Sequence, residues 1–218
     1  MIAPLHITLL GKGKLAQAIN KLCQQEEISI VGEERADLLI DCSSPDALWQ
    51  HVEKALELNT PLIIGTTGWN DSVLEKLRVK NRGSGLPFLY APNFSIGAMA
   101  WLNLMEAAAR LLCQEKEYRC AVTEWHHEEK NDAPSGTAKE GLKRITQSWA
   151  EEVPVVSLRK GFHPGEHRVI FDSPYETLEI IHSSRNRQGF AKGAVMAARW
   201  IIDQPEGVYH IEEVWDAG

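Results

Sequence analysis

Residues 7–16 read Ile-Thr-Leu-Leu-Gly-Lys-Gly-Lys-Leu-Ala. The first four form a short apolar run of strand character, and Leu15, Ala18, Ile19 and Leu22 then recur at helical spacing. A strand that passes through Gly-x-Gly into a helix predicts a tight turn whose backbone can approach a ligand closely. Outward from this turn the alternation repeats. Apolar runs at residues 28–31, 38–40, 61–64 and 87–90 are separated by helical patterns, one carrying Leu48, Val52, Ala55 and Leu56, another Val73, Leu74 and Leu77. Ser44-Pro45 reads as the N-cap and first residue of the former helix. Five continuous apolar strands alternating with helices predict a parallel sheet covered on both faces. Ligands of such sheets lie beyond the C-terminal strand ends, where residues 11–16, 32–35, 41–44, 65–68 and 91–94 form loops rich in Gly, Ser, Thr and Asn.

After Phe94 the pattern changes. Met99, Leu102, Met105, Ala109 and Leu112 predict one long helix, and residues 118–125 alternate as a half-buried strand. A polar segment, 126–135, leads to a helix starting near Gly136. Strand-like runs follow at 155–158, 168–171 and 177–182, then a helix over 189–202. This order predicts an α+β domain with a mixed or antiparallel sheet, over residues 95–185, inserted in a first domain made of 1–94 and 186–218.

Composition narrows the function classes. The 218 residues are 44% hydrophobic and 24% charged, which is ordinary for a globular protein. A net charge of −7 with no long Lys/Arg run argues against nucleic acid as a main partner. No apolar run approaches the roughly 20 residues that span a bilayer, so no membrane segment is expected. The N-terminus lacks a basic region and cleavage site, and Cys23, Cys42, Cys113 and Cys120 show no CxxC spacing. The expectation is a cytoplasmic protein with reduced thiols.

The glycine turn predicts dinucleotide binding. Gly11 and Gly13 let the backbone reach a pyrophosphate, the helix N-terminus offers N–H donors, and Lys12 and Lys14 add charge. A tight turn with solvated lysines is the plainer alternative. Cofactor choice rests on the end of the second strand, where a carboxylate favours NAD and an Arg favours NADP. Glu33, Glu34 and Arg35 supply both, so the signal is mixed.

The stretch Glu124-Trp-His-His-Glu-Glu-Lys-Asn-Asp-Ala-Pro-Ser-Gly-Thr-Ala138 carries the chemistry. Imidazole titrates near neutrality and can donate a proton, a nearby Lys can hold a carboxylate, and Ser135-Gly-Thr137 opens a helix suited to anions. The His-His-Glu-Glu-Lys order does not present metal ligands on one face as HExxH does, so no metal is expected. The serine is not in a GxSxG turn, which argues against acyl transfer. A capped loop with exposed histidines is the plain alternative.

The same block, His126-His-Glu-Glu-Lys130-Asn-Asp132-Ala-Pro-Ser-Gly-Thr-Ala138, resembles the HHxxKxDAPSGTA signature of the dihydrodipicolinate reductase family at every fixed position. Asp41-Cys-Ser-Ser-Pro45, Gly65-Thr-Thr-Gly68, Ala91-Pro-Asn-Phe-Ser-Ile-Gly97, Arg159-Lys-Gly161, Gly165-Glu-His167, Glu176-Thr, His182 and Arg187 through Ala194 are similar to further family segments in the same order. The resemblance implies a Rossmann-type parallel-sheet domain, and reduction of 4-hydroxy-tetrahydrodipicolinate by NADH or NADPH in diaminopimelate and lysine biosynthesis. It also implies a homotetramer joined through the second domain. His126 would donate the proton and Lys130 would be its cationic partner, while His127, Ser135, Gly136 and Thr137 would hold the dicarboxylate. Gly11, Lys12, Gly13, Lys14 and Leu15 would hold the cofactor phosphates, with Glu33 and Arg35 at its ribose. Gly65, Thr66, Thr67, Ala91, Pro92, Asn93 and Phe94 would line the nicotinamide. The glycine loop is one residue shorter than the family pattern and closes on Ala16, and the segment from Val31 to Leu38 is short. These departures lead to an expectation that both cofactors are used. Two other readings share the first domain: a different NAD(P) dehydrogenase acting on an amino-acid precursor, and a dinucleotide-sensing protein without turnover. Neither needs the double histidine, lysine and Ser-Gly-Thr block.

Overall fold

The structure is a computed structural model that describes residues 4–67 and 72–216. Gly68, the last residue of one predicted loop, lies outside them. The chain divides into two compact units, Met1–Ile96 with Arg187–Gly218, and Gly97–Asn186.

In the first unit, β1 (Leu5–Leu10), β2 (Ile28–Ile30), β3 (Leu38–Asp41), β4 (Leu62–Ile64), β5 (Pro87–Tyr90) and β10 (Gly207–His210) form one sheet in the order β10-β5-β4-β3-β1-β2. Every pairing is parallel. The central strands β3 and β4 are buried at every position, which is why they are apolar without alternation, whereas the edge strand β2 keeps only Ile28 buried. Helices α2 (Leu48–Glu57) and α3 (Ser72–Asn81) contribute Leu48, Val52, Ala55 and Leu77 to a cluster with Leu39, Leu62, Ile64 and Phe88. Helices α1 (Lys14–Cys23) and α6 (Gln188–Ile201) pack on each other. Strand order reverses between β1 and β3, the switch point at which open α/β sheets bind ligands.

Two local expectations are corrected. Residues Pro45–Ala47 form a 3-10 turn and α2 begins only at Leu48, so Ser44 is not its N-cap and makes no capping bond. Sequence reading assigned no element after residue 202, yet β10 is the sixth strand and is followed by α7 (Ile211–Asp216). Gly207-Val-Tyr-His is too short and too mixed to show strand periodicity. Tertiary bonds hold it: Asn81 Nδ2 donates to the carbonyls of Leu86 (2.9 Å) and Gly207 (3.1 Å), and Glu206 accepts from the N–H groups of Gly83 and Gly85.

The second unit holds α4 (Ile96–Leu112), β6 (Arg119–His126), α5 (Gly136–Ile145), β7 (Val155–Arg159), β8 (Glu166–Asp172) and β9 (Thr177–Ser183). Its sheet runs β7-β6-β8-β9, with β6 parallel to β7 and antiparallel to β8, and β8 antiparallel to β9. The sheet is therefore mixed. Among the described residues no helix is long and apolar enough to cross a membrane.

Helix α6 lies so close to the loop after β5 that a Cβ on Gly193 would collide with the Phe94 carbonyl. The Gly193→Ala substitution is expected to cost on the order of 3 kcal/mol or to prevent folding, since a backbone carbonyl cannot step aside. Thermal unfolding checks this: Tm should fall by about 10 °C, and an unchanged Tm would contradict the packing.

Candidate active site

Alternation along β6 turns Cys120, Val122, Glu124 and His126 to the buried side. The third of these is a carboxylate with no exposed side-chain surface, so its oxygens need partners. Glu124 Oε1 accepts from the Ser135 N–H at 3.0 Å, the Ser157 hydroxyl at 2.7 Å and the Arg159 guanidinium at 2.7 Å. Burial alone would raise its pKa, but these donors outweigh it and bring the group down to about 2. One oxygen thereby joins β6, β7 and the start of α5. Arg159 also donates to the Asp132 carbonyl at 2.6 Å, which fastens the loop between β6 and α5.

His126 ends β6 and is 6% exposed. Its Nδ1 lies 3.5 Å from Glu124 Oε2. Burial, opposed by Glu124 and assisted by the cations of Lys130 and Arg159, pushes its pKa down to about 4. The ring is therefore neutral at pH 7. Its Nε2 edge borders Gly165, where φ is +148° and a Cβ would sit 3.1 Å from Nε2, so only glycine suits both backbone and imidazole. On β8, His167 pairs in register with Glu124 and places Nε2 3.1 Å from the Ser135 hydroxyl. Burial, with the neighbouring His126, pushes it down to about 3. His182 on β9 stacks beyond it at 6.0 Å and is lowered by burial.

Lys130 donates to Asp132 at 2.7 Å and is a quarter exposed. Burial would raise Asp132, but this bond holds its pKa below the usual range. His127 is half-buried, and its carbonyl accepts from the Lys130 N–H. Ser135 is the N-cap of α5: its buried hydroxyl accepts from the Ala138 N–H at 3.2 Å. Both its polar groups thus serve the fold, and the N–H groups of Gly136 and Thr137 head the helix in its place. Residues 160–165 border the same strand end. The Lys160 N–H donates to the His126 carbonyl at 3.1 Å, and Trp125 stacks on His163 at 4.6 Å.

The first unit carries the other predicted residues. A Cβ on Gly11, whose φ is +125°, would lie 2.5 Å from the Cys42 carbonyl oxygen, so the turn after β1 and the turn after β3 touch backbone to backbone. Gly13 is the extended N-cap of α1 and offers no side chain to its first N–H groups, which leaves room for an anion beside Lys12, Lys14 and Leu15. This cradle fits a dinucleotide phosphate. Buried Asp41 accepts from Ser43 through N–H and hydroxyl, and from Thr66 Oγ1 at 3.0 Å, so it joins the loops after β3 and β4. Gly65 packs beneath the Phe94 ring, where a Cβ would meet Cε2 at 2.8 Å. Thr67 is exposed, and Ala91, Pro92 and Asn93 form the turn after β5, with Asn93 accepting from the Ser95 N–H. Glu33 lies in a 3-10 turn after β2 and pairs with Lys54 at 2.7 Å, while Arg35 is exposed.

Glu124, His126 and His167 bring three possible metal-ligating atoms within 4.8 Å. The carboxylate is already engaged by the Arg159 guanidinium, which would repel a divalent cation. Sequence reading did not assign roles to Glu124, Ser157 and Arg159, and knew His167 and His182 only through the resemblance. The signal was available: Glu124 shares the inward phase of β6 with Val122 and His126, and a charged residue on that face is an exception that calls for partners.

Neutral, buried histidines also set the response to acid. His126 and His167 bind protons at about 4 and about 3 in the folded chain, against 6.5 when unfolded, so the unfolded chain takes up more protons below pH 6.5. Glu124, at about 2 against 4.5, acts in the same direction at lower pH. Stability is therefore full above pH 6.5 and falls as pH drops below it. Tm should decline by several degrees between about pH 6.5 and 4.5, less steeply in His167→Gln. A Tm that does not change over that range would contradict the assignment.

Residues 7–94 match the family described as "Dihydrodipicolinate reductase, N-terminus", and residues 97–215 match "Dihydrodipicolinate reductase, C-terminus". The 4-hydroxy-tetrahydrodipicolinate reductase of Syntrophus aciditrophicus is 34% identical over 198 residues, covering 82% of this chain and 72% of its own length. The enzyme of the same name from Staphylococcus haemolyticus is 30% identical over 248 residues, covering 96% of this chain and 100% of its own. Among solved structures, dipicolinate-bound dihydrodipicolinate reductase from Paenisporosarcina sp. TG-14 shares the fold with a TM-score of 0.75 at 21% identity, covering 94% of this chain and 97% of that one. With both halves matched and the signature residues gathered at one strand end, the chain belongs to the dihydrodipicolinate reductase family.

Proposed function

We propose that His126 is the proton donor and Lys130 its cationic partner in the reaction this chain performs. The chain is a nicotinamide-dependent 4-hydroxy-tetrahydrodipicolinate reductase of diaminopimelate and lysine biosynthesis. One observation carries the role assignment: His126, Lys130 and the start of α5 belong to a single loop fastened through Glu124 and Arg159. The cofactor, when bound, supplies a hydride to an electron-poor carbon of the substrate ring. The negative charge that builds up on the substrate is then met by the proton of His126. Lys130 and the Gly136 and Thr137 N–H groups attract the two carboxylates, His127 flanks them, and Ser135 acts as the cap that aims α5. In the first unit, Gly11, Lys12, Gly13, Lys14 and Leu15 hold the cofactor phosphates. Gly65, Thr66, Thr67, Ala91, Pro92, Asn93 and Phe94 form its nicotinamide side. The first unit is thus the dinucleotide-binding domain, and the second the domain for substrate and assembly.

The unliganded His126 is neutral, so it must gain its proton before it can give one. Two substrate carboxylates offset Lys130 and Arg159 and raise its proton affinity. Binding of pyridine-2,6-dicarboxylate should therefore take up close to one proton near pH 7 and weaken as pH rises. Titration calorimetry in two buffers of different ionisation enthalpy measures this, and binding with no proton uptake would contradict it. Turnover tests the roles directly. His126→Gln and Lys130→Ala should each lower kcat by about 10²–10⁴ with little change in NAD(P)H affinity. Near-normal kcat in both would overturn the assignment.

Glu33 suits a ribose hydroxyl and Arg35 a 2′-phosphate, while Lys54 partly neutralises Glu33, so we read the chain as using both cofactors. KM values for NADH and NADPH should differ by less than roughly 100-fold. The outward face of the second sheet exposes Trp125, Val156, Leu158 and Ile181, and this apolar face supports a homotetramer. Sedimentation should give four chains per particle, and Leu158→Glu should dissociate them. A monomer with the native sequence would contradict this. The four free cysteines suit a cytoplasmic setting.

A further inference from the structure

We infer that Glu124 is the positioning residue of the proton donor: its Oε2 accepts a hydrogen bond from Nδ1–H of His126, so that the transferred proton leaves from Nε2. The inference rests on the reading of His126 as donor. Three donors saturate Glu124 Oε1, whereas Oε2 is buried without a hydrogen-bond partner. His126 Nδ1 is likewise buried and unpartnered, 3.5 Å away. Two buried lone pairs facing each other would repel, and a proton on Nδ1 satisfies both atoms. His167 Nε2 also faces Oε2, at 3.8 Å, but stands closer to the Ser135 hydroxyl at 3.1 Å. His126 Nδ1 is thus the nearer of the two imidazole nitrogens to Oε2 and, unlike His167 Nε2, has no hydrogen-bond partner of its own.

The bonds to Oε1 stop the carboxylate from rotating, because Ser135 grips it from the start of α5 and Ser157 and Arg159 from β7. On the opposite edge of the imidazole, Nε2 borders Gly165, which brings no side chain of its own against it. Charges around the ring show why a carboxylate is needed there. Lys130 and Asp132 approach from the following loop, Arg159 from β7, His167 from β8 with His182 behind it on β9, and Glu124 from β6 itself. Without Glu124, two permanent cations would face a single anion, Asp132, and the imidazolium would be disfavoured. In the reaction, the Nε2–H bond breaks and the substrate gains that proton. His126 returns to the neutral Nδ1–H form, and a solvent proton restores Nε2–H. Glu124 stays anionic throughout.

The test compares kcat against pH for the native enzyme, Glu124→Gln, Glu124→Asp and His126→Gln, with substrate generated in situ and cofactor saturating. A proton donor is active when protonated, so kcat falls as pH rises through its pKa in the complex. Loss of the adjacent negative charge lowers that pKa. Glu124→Gln should therefore move the fall to lower pH by about one unit or more and reduce kcat near pH 7.5 by about 10–100-fold. KM values should change by less than about threefold, and Glu124→Asp should recover much of the native profile. A purely structural role would lower activity at every pH without moving the midpoint, and that result overturns the inference. His126→Gln separates the two claims. Near-native kcat there overturns the donor itself, whereas a large loss combined with an unmoved Glu124→Gln profile overturns only the role of Glu124. Should Glu124→Gln fail to fold, ¹⁵N-imidazole spectra of the native enzyme decide, with His126 assigned by its absence in His126→Gln. The neutral ring must carry its proton on Nδ1, and an Nε2–H tautomer overturns the inference.

Discussion

A carboxylate with no access to water lies at the centre of the second unit. Moving an ionised group out of water costs several kcal/mol unless donors replace its hydration, and Glu124 receives three donors at one oxygen. They come from two stretches of chain, one from the α5 N-terminus and two from β7. The strand that ends in His126, the helix that opens at Gly136 and the neighbouring strand are therefore fastened at one point. Replacing the carboxylate by an apolar group would leave Arg159 buried without its counter-charge, a loss on the order of 3–5 kcal/mol. The site and the stability of this unit thus depend on the same group.

The surrounding electrostatics divide labour between similar residues. His126 and His167 lie on the same buried face, with rings 5.1 Å apart, and both are held neutral. His167 is tied to the serine that caps α5, whereas His126 has one edge on the carboxylate and the other beside a glycine. Two imidazoles of equal chemistry are given different tasks by what touches their nitrogens. Asp41 plays a comparable structural part in the first unit, where its two oxygens bind the loops after β3 and β4 to one another. In both units a buried carboxylate at a strand end organises the loops that follow.

Much of this was legible in the chain. Continuous apolar runs gave away β1, β3, β4 and β5, because strands buried on both faces need no polar alternation. The block from His126 to Ala138 identified the loop, its helix start and the family. Glu124 went unread despite its inward phase on β6, since a glutamate in a strand is ordinarily a solvated residue and only cross-strand register places it beside His167. Ser135 was read as a contact for the dicarboxylate, and its part as the cap of α5, accepting from the Ala138 N–H, was not foreseen. The 3-10 turn at Pro45–Ala47 delays α2 by three residues, and proline statistics alone do not distinguish that from an immediate α start. Strand β10 was missed because it is defined by neighbours more than 100 positions earlier, not by its own four residues.

That last strand ties the two units in time. The first sheet is interrupted after β5, the entire second unit is then threaded, and only α6 and β10 bring the sheet to completion. On the ribosome, a chain that has emerged as far as residue 186 already contains every segment of the second unit. Its other half still presents the outer edge of β5 as unpaired backbone. Translation order therefore makes the inserted unit the earlier to mature, and the first unit needs the last part of the chain to close its exposed edge.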